Sequence, residues 1–280
     1  MQNISTTLEN IDTIAIGGFD GMHKGHQKLL KHLGDNGAVL VIDAGYANLT
    51  PKLERERHCS SKIIFFDLKE IRSFSGEEFI KKLKDKFIGL KKIVVGYDFR
   101  FGNSRSCSTK DLDSLFEGEV LVIPEFKYND ISVHARTIRD LIKSAKIKEA
   151  NSLLGYSYSI FSSIIKGQGL GKKELYPTLN LAQNLFLAPK EGVYAGFVQL
   201  NNELNHRPAV VFTGHRATTD GSYALEVHVL DSNVEEVKSL RIFFVDFIRE
   251  NKKFESLEEL KKAIKIDIQK AKDLTSHLAL

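Results

Sequence analysis

Short runs that are apolar from end to end recur through the first half of the chain: AVLVI at 38–42, IIFF at 63–66, IVV at 93–95 and VLVI at 120–123. A strand buried on both faces has no polar alternate positions, so unbroken runs of this length read as parallel strands covered on both sides. Thr13–Ile16 is another such run, and it leads into Gly17-Gly18. Between the runs lie stretches with helical spacing, at His23–Leu33 and Gly76–Phe87. In the latter, Phe79, Ile80, Leu83 and Phe87 fall on one face. Strand and helix in alternation predict an α/β domain built on a parallel sheet. Two further helical stretches, Thr137–Ser144 and Ile147–Leu154, close it.

After Gly155 the pattern changes. Ser159–Ile165, Gly192–Leu200, Pro208–Phe212, Ser222–Leu230 and Ser239–Phe247 are short β-rich runs separated by turn residues. They predict an antiparallel barrel or sandwich, followed by an amphipathic helix from Leu257 to about Leu274. Two domains are expected, 1–155 and 156–280.

Forty Lys and Arg against 36 Asp and Glu leave a formal charge of +4, interspersed rather than clustered, which argues against a nucleic-acid partner. Cys59 and Cys107 are far apart and lack metal-ligand spacing, so neither a disulfide framework nor a zinc site is expected. No segment approaches the ~20 apolar residues of a membrane span, and the N-terminus carries acids instead of an apolar signal core. A soluble, cytoplasmic protein, monomeric or weakly oligomeric, is the expectation.

GGFDGMHKGH follows the first apolar run and opens a helical stretch. Glycines there let backbone amides approach a phosphate, and a helix N-terminus favours negative charge. His23 and His26 share one side of the first turn and can donate hydrogen bonds to a triphosphate during in-line displacement. The plain alternative is a glycine-rich turn with two solvent-facing histidines. On Gly18, Phe19, Asp20, Gly21, His23, Gly25 and His26, however, the chain matches GxFDGxHxGH. It thereby resembles the nucleotidyltransferase superfamily and, within it, the bacterial bifunctional riboflavin kinase/FAD synthetases. The resemblance implies a Rossmann-like N-terminal domain, with His23 and His26 catalytic and the surrounding loop binding the ATP phosphates. A second family signature, VGxDFRFG, stands at Val95–Gly102, and implies flavin contacts from Asp98, Phe99 and Phe101. The family's ISSTRIR loop corresponds to Ser132–Arg139, where Arg136, Thr137 and Arg139 are placed to hold pyrophosphate; ordinary exposed arginines on a helix are as good a reading. Its Phe-Asp-Pro-His-Pro segment is replaced by Val41-Ile42-Asp43-Ala44-Gly45-Tyr46.

In the second half, GQGLGKKELYPTLN joins a glycine loop (Gly167, Gly169, Gly171) to Pro177-Thr178-Leu179-Asn180. Thr and Asn are oxygen donors suited to a Mg²⁺ ion that keeps its waters and phosphates. The segment resembles the riboflavin kinase marker PTxN, in which Thr178 and Asn180 hold Mg-ATP; a simple strand start is the alternative. Leu175 stands where the family has glycine. Downstream, Leu225–Leu230 resembles the family's E-x-H strand, which implies Glu226 as the base for the riboflavin hydroxyl. Pro189, Gly192, Val193 and Tyr194, and later Arg249 and Phe254, also match. Val211–Thr218 departs from the family's Asn-x-Gly-x-x-Pro-Thr.

Together the resemblances imply an enzyme that phosphorylates riboflavin to FMN and adenylylates FMN to FAD, with ATP and Mg²⁺ at both sites. The alternatives are a riboflavin kinase with a degenerate first half, or a non-catalytic flavin-binding protein.

Overall fold

The computed structural model describes residues 8–166, 176–182, 184–201, 203–216, 221–230, 234 and 236–278. The chain divides into two compact units, Met1–Ala135 and Arg136–Leu280.

In the first unit, β1 (Thr13–Gly17), β2 (Gly37–Asp43), β3 (Lys62–Asp67), β4 (Lys92–Gly96) and β5 (Glu119–Ile123) form one sheet in the order β3-β2-β1-β4-β5. Every pairing in it is parallel. Alternate residues explain the unbroken apolar runs. Ile14, Ile16, Ala38 and Leu40 enter one core with Phe79, Ile80, Leu83 and Phe87. Ala15, Val39, Val41 and Val94 enter another with Phe19, Met22, Leu29 and Leu33. Helix α1 (Lys24–Leu30) is shorter than the expected 23–33 and has His23 as its N-cap. A four-residue helix α2 (Leu68–Ile71) follows β3, and α3 (Gly76–Lys86) then begins at a capping box, Ser75 with Glu78. Helix α4 (Thr109–Leu115) begins at another, Ser108 with Asp111. A small hairpin, β6 (Lys127–Tyr128) and β7 (Ile131–Ser132), turns on Asn129 and Asp130, both with positive φ.

The second unit begins with α5 (Ala135–Lys143) and α6 (Ile147–Leu154). The division therefore falls at the first residue of α5, so two helices that sequence pattern alone groups with the sheet go with the second unit. Asn151 shows why α6 goes with the second unit. Its amide donates to the Phe244 carbonyl at 2.9 Å, and its side-chain oxygen accepts the Tyr158 N–H at 2.8 Å. Gly155, with φ 85°, ends that helix in the left-handed conformation. Six strands follow: β8 (Ser159–Ile165), β9 (Leu179–Leu181), β10 (Gly192–Leu200), β11 (His206–His215), β12 (Tyr223–Val229) and β13 (Ser239–Glu250). They close into an antiparallel barrel in the order β10-β11-β12-β9-β8-β13, which leaves no unpaired edge. Helix α7 (Leu257–Thr275) is clamped to it by Arg249, whose guanidinium bonds both oxygens of the buried Asp267 at 2.8–3.1 Å.

Candidate active sites

The first site stands at the carboxyl ends of β1 and β4. These strands are neighbours, and the chain leaves them towards opposite sides of the sheet. Ligands of open α/β sheets bind at such a switch point. The glycine–histidine loop leaves β1 there, and Tyr97–Gly102 leaves β4.

The loop is held in a sparsely populated conformation: Phe19, Gly21 and Met22 all have positive φ, at 48°, 83° and 36°. His23 is buried, and its Nδ1 accepts the His26 N–H at 3.2 Å, capping α1. The two imidazoles stack with centroids 3.6 Å apart and planes 16° from parallel. Burial, and then the neighbouring His23, Arg55 and His134, push the His26 pKa well below its ordinary value. A neutral ring offers one N–H donor and one acceptor, and His26 Nδ1 is buried with no partner among the described residues. A Cβ on Gly25 would come within 3.2 Å of the His23 ring and 3.3 Å of the Val133 carbonyl, so glycine lets the first turn close. A Cβ on Gly18 would meet nothing within 4 Å. Open space faces the backbone there, as a phosphate needs.

Other expected residues of this unit turn inward. The Phe19 ring is buried in the apolar core. The Asp20 carboxylate accepts backbone N–H groups of Asn48, Leu49 and Thr50 at 3.0–3.3 Å, so its work is to hold the loop. Phe101 packs in the core against Phe79, which makes its ring the core plug beneath the second signature. Asp98 is exposed and Phe99 half-buried. Arg136 is exposed, and Thr137 and Arg139 half-buried, on α5 in the second unit. Arg55 escaped the sequence reading. It is fully buried, and it donates to the Gly18 carbonyl at 3.1 Å and the Lys52 carbonyl at 3.0 Å. In sequence it sits in LERER, which reads as a solvated helix.

The second site is made by strand register. Glu226 on β12 lies directly opposite Asn180 on β9. Arg216, just past β11, joins them: Nε donates to Glu226 Oε1 at 2.7 Å and Nη2 donates to Asn180 Oδ1 at 2.7 Å. Nη1 donates to Ser222 Oγ at 2.7 Å. Thr178 and Asn180 are half-buried, and His228 is tied to the Pro177 carbonyl at 2.9 Å. Gly167, Gly169 and Gly171 lie outside the described residues. A carboxylate and an amide oxygen thus converge on one guanidinium. The hydroxyl of Thr178 and the amide oxygen of Asn180 are hard donors of the kind that suits Mg²⁺.

A glycine–histidine loop at the mouth of a parallel sheet and a carboxylate–amide pair in a closed barrel are the parts of a nucleotidyl transferase and a phosphoryl transferase. The comparisons agree with that class. A riboflavin kinase family model matches residues 154–275, and an FAD synthetase model matches residues 57–137. The chain is 30% identical to a bifunctional riboflavin kinase/FMN adenylyltransferase of Buchnera aphidicola subsp. Acyrthosiphon pisum, with 96% of this chain and 94% of that protein covered. It is 27% identical to the protein of that name from Escherichia coli K12, covering 95% and 94%. A crystal structure titled as a macrolide-efflux protein from Streptococcus pneumoniae shares the fold, with TM-score 0.84 at 24% identity over 100% of this chain and 98% of that one. The chain belongs to the bifunctional riboflavin kinase/FMN adenylyltransferase family.

Proposed function

We propose that the barrel unit phosphorylates riboflavin and the parallel-sheet unit adenylylates the resulting FMN, each with its own ATP. The observation that carries this reading is the pairing of Glu226 with Asn180 in one unit, together with the stacked His23–His26 pair at the switch point of the other.

In the kinase step the riboflavin primary hydroxyl oxygen attacks the γ-phosphorus of ATP. Glu226 accepts the hydroxyl proton, the bond to the β-phosphate oxygen breaks, and ADP leaves. Thr178 and Asn180 would hold the Mg²⁺ that accompanies ATP. The metal, when bound, neutralises phosphate charge in the transition state. In the second step an FMN phosphate oxygen attacks the α-phosphorus of ATP and pyrophosphate leaves. The backbone amides of the Gly18–Gly21 loop, with His23 and His26 as donors, stabilise the charge that moves to the leaving oxygens. Gly25 keeps the first turn closed against His23, while Asp98 and Phe99 border the flavin side. The substrates are small molecules, with no nucleic-acid or membrane partner. A cytoplasmic location and a monomeric or weakly oligomeric state complete the proposal; among the described residues no helix is long and apolar enough to cross a membrane.

The test is to incubate the purified chain with riboflavin, ATP and Mg²⁺ and resolve the flavins by chromatography. FMN and then FAD are expected. FMN that never becomes FAD removes the first unit from the proposal, and unchanged riboflavin overturns it.

A further inference from the structure

Among the described residues, the largest fully buried side chain is an arginine, Arg55, at 1% exposure. Arginine is almost never fully buried without strong compensation, because the guanidinium must give up its hydration. Here its hydrogen bonds go to two carbonyls, those of Gly18 and Lys52, and its Nε is buried with no partner among the described residues. The Phe65 ring lies 5.7 Å away. Its hydrogen-bond partners are thus neutral carbonyls, and the charges that favour the guanidinium, Asp20 and Asp43, act on it without a direct bond among those described. Burial lowers the pKa of Arg55, while Asp20 and Asp43 pull the other way.

The surroundings suggest what the charge is for. The segment 48–55 is stitched to the strained glycine loop at each of its residues from Gly18 to Gly21. Arg55 holds the Gly18 carbonyl, Thr50 Oγ1 donates to the Phe19 carbonyl at 3.4 Å, and the Asp20 carboxylate accepts three backbone N–H groups. The Gly21 N–H donates to Thr50 Oγ1 at 2.7 Å. Left-handed backbone at Phe19 and Met22 persists only where neighbours over-determine it, and this brace does so. Turning the Gly18 carbonyl back towards Arg55 also keeps an oxygen dipole away from the open space in front of Gly18.

We propose that Arg55 is a positioning residue of the adenylyl site, which sets the Gly18–Gly21 loop and supplies from behind it the standing positive charge that draws the ATP triphosphate onto the loop. The inference rests on the reading of the first unit as the adenylylating one. A purely structural arginine would matter for loop shape alone; this one also sets anion affinity.

The experiment titrates inorganic pyrophosphate into the full chain by calorimetry, which needs no turnover, and measures FAD formation from FMN beside it. Arg55→Met should weaken pyrophosphate binding and raise KM for ATP, each by about 10-fold, the scale of one buried charge acting on an anion through the protein without touching it. KM for FMN should stay within about twofold, and riboflavin phosphorylation should not change. Arg55→Lys, which keeps the charge, should recover most of the pyrophosphate affinity. Wild-type pyrophosphate binding in an Arg55→Met protein that melts normally would overturn the proposal. So would an Arg55→Lys protein as impaired as Arg55→Met, or a KM for FMN that rises in step with that for ATP. If Arg55→Met does not fold, Arg55→Lys decides alone: near-normal pyrophosphate affinity supports the charge role, and its loss overturns it. A wild-type chain that binds pyrophosphate through Arg55 but forms no FAD would sink the adenylylation reading and leave this one standing.

Discussion

On the assignment proposed for the barrel unit, replacing Glu226 by glutamine removes the proton acceptor of the kinase step and little else. The amide is nearly isosteric, and its oxygen can still accept the Arg216 Nε–H that the carboxylate takes at 2.7 Å. The ion pair it replaces is about one-fifth exposed on each side, so the loss of its Coulomb term should cost about 1 kcal/mol of stability. A positioned general base contributes about 10²–10⁴-fold, or roughly 3–5 kcal/mol on the barrier at 1.36 kcal/mol per decade. The two magnitudes differ enough to separate chemistry from folding. FMN formation at saturating ATP, followed by chromatography, should fall by at least about 100-fold. Thermal unfolding should move by only a few degrees, and FAD formation from supplied FMN should continue. A variant that phosphorylates riboflavin within about tenfold of wild type would refute the assignment of the base. Loss of both activities in a folded variant would refute two separate sites.

Three further outcomes test other parts of the molecule. Gly18→Ala adds a methyl into open space on a backbone that is not left-handed. It should leave the melting temperature unchanged yet cut FAD formation by about 10-fold or more, since close backbone approach to phosphate is lost. Asp267→Ala strands the Arg249 guanidinium that clamps α7. A broken buried pair costs about 3–5 kcal/mol; with Arg249 part-exposed, about 2–4 kcal/mol is expected, seen as a lower barrel melting transition by scanning calorimetry. His26 has a folded pKa held below the ordinary 6.5, so the unfolded chain binds its proton first as pH falls. The first unit should therefore be most stable above about pH 6.5 and lose stability on acidification below it. His26→Gln should flatten that part of the pH–stability curve.

What could be read from the sequence follows from which forces are local. The central strands announced themselves because both of their faces are buried, so Ile14–Ile16 and Ala38–Leu40 have no polar positions to confuse with a loop. Helix α3 announced itself through a one-sided stripe and a capping box. β9, with three residues, and the β6–β7 hairpin, with two per strand, carry too few side chains for any period to show. Helices α5 and α6 have clear apolar faces, but periodicity does not say which surface a face will cover. The bonds from Asn151 to Phe244 and Tyr158 belong to tertiary structure.

The sites divide in the same way. His23 and His26 are three residues apart on one turn, so their stacking is a local consequence of a helix starting there, and a motif can carry it. The partner of Glu226 is fixed by non-local pairings, β12 against β9 and β11 against β12. A one-residue slip in either would turn Asn180 or Glu226 to the opposite face. Arg216 was therefore visible only as part of a segment that departs from its family, although it bonds both of the residues expected to act. Arg55 was hidden more deeply. A chain written LERER looks like a charged surface, and only the curl of a short 3-10 helix at Lys52–His58 sends one of its arginines inward beneath Gly18. Catalytic groups that touch substrate leave spaced signatures; the charges that hold them in place are written one residue at a time, wherever the fold happens to pass behind the site.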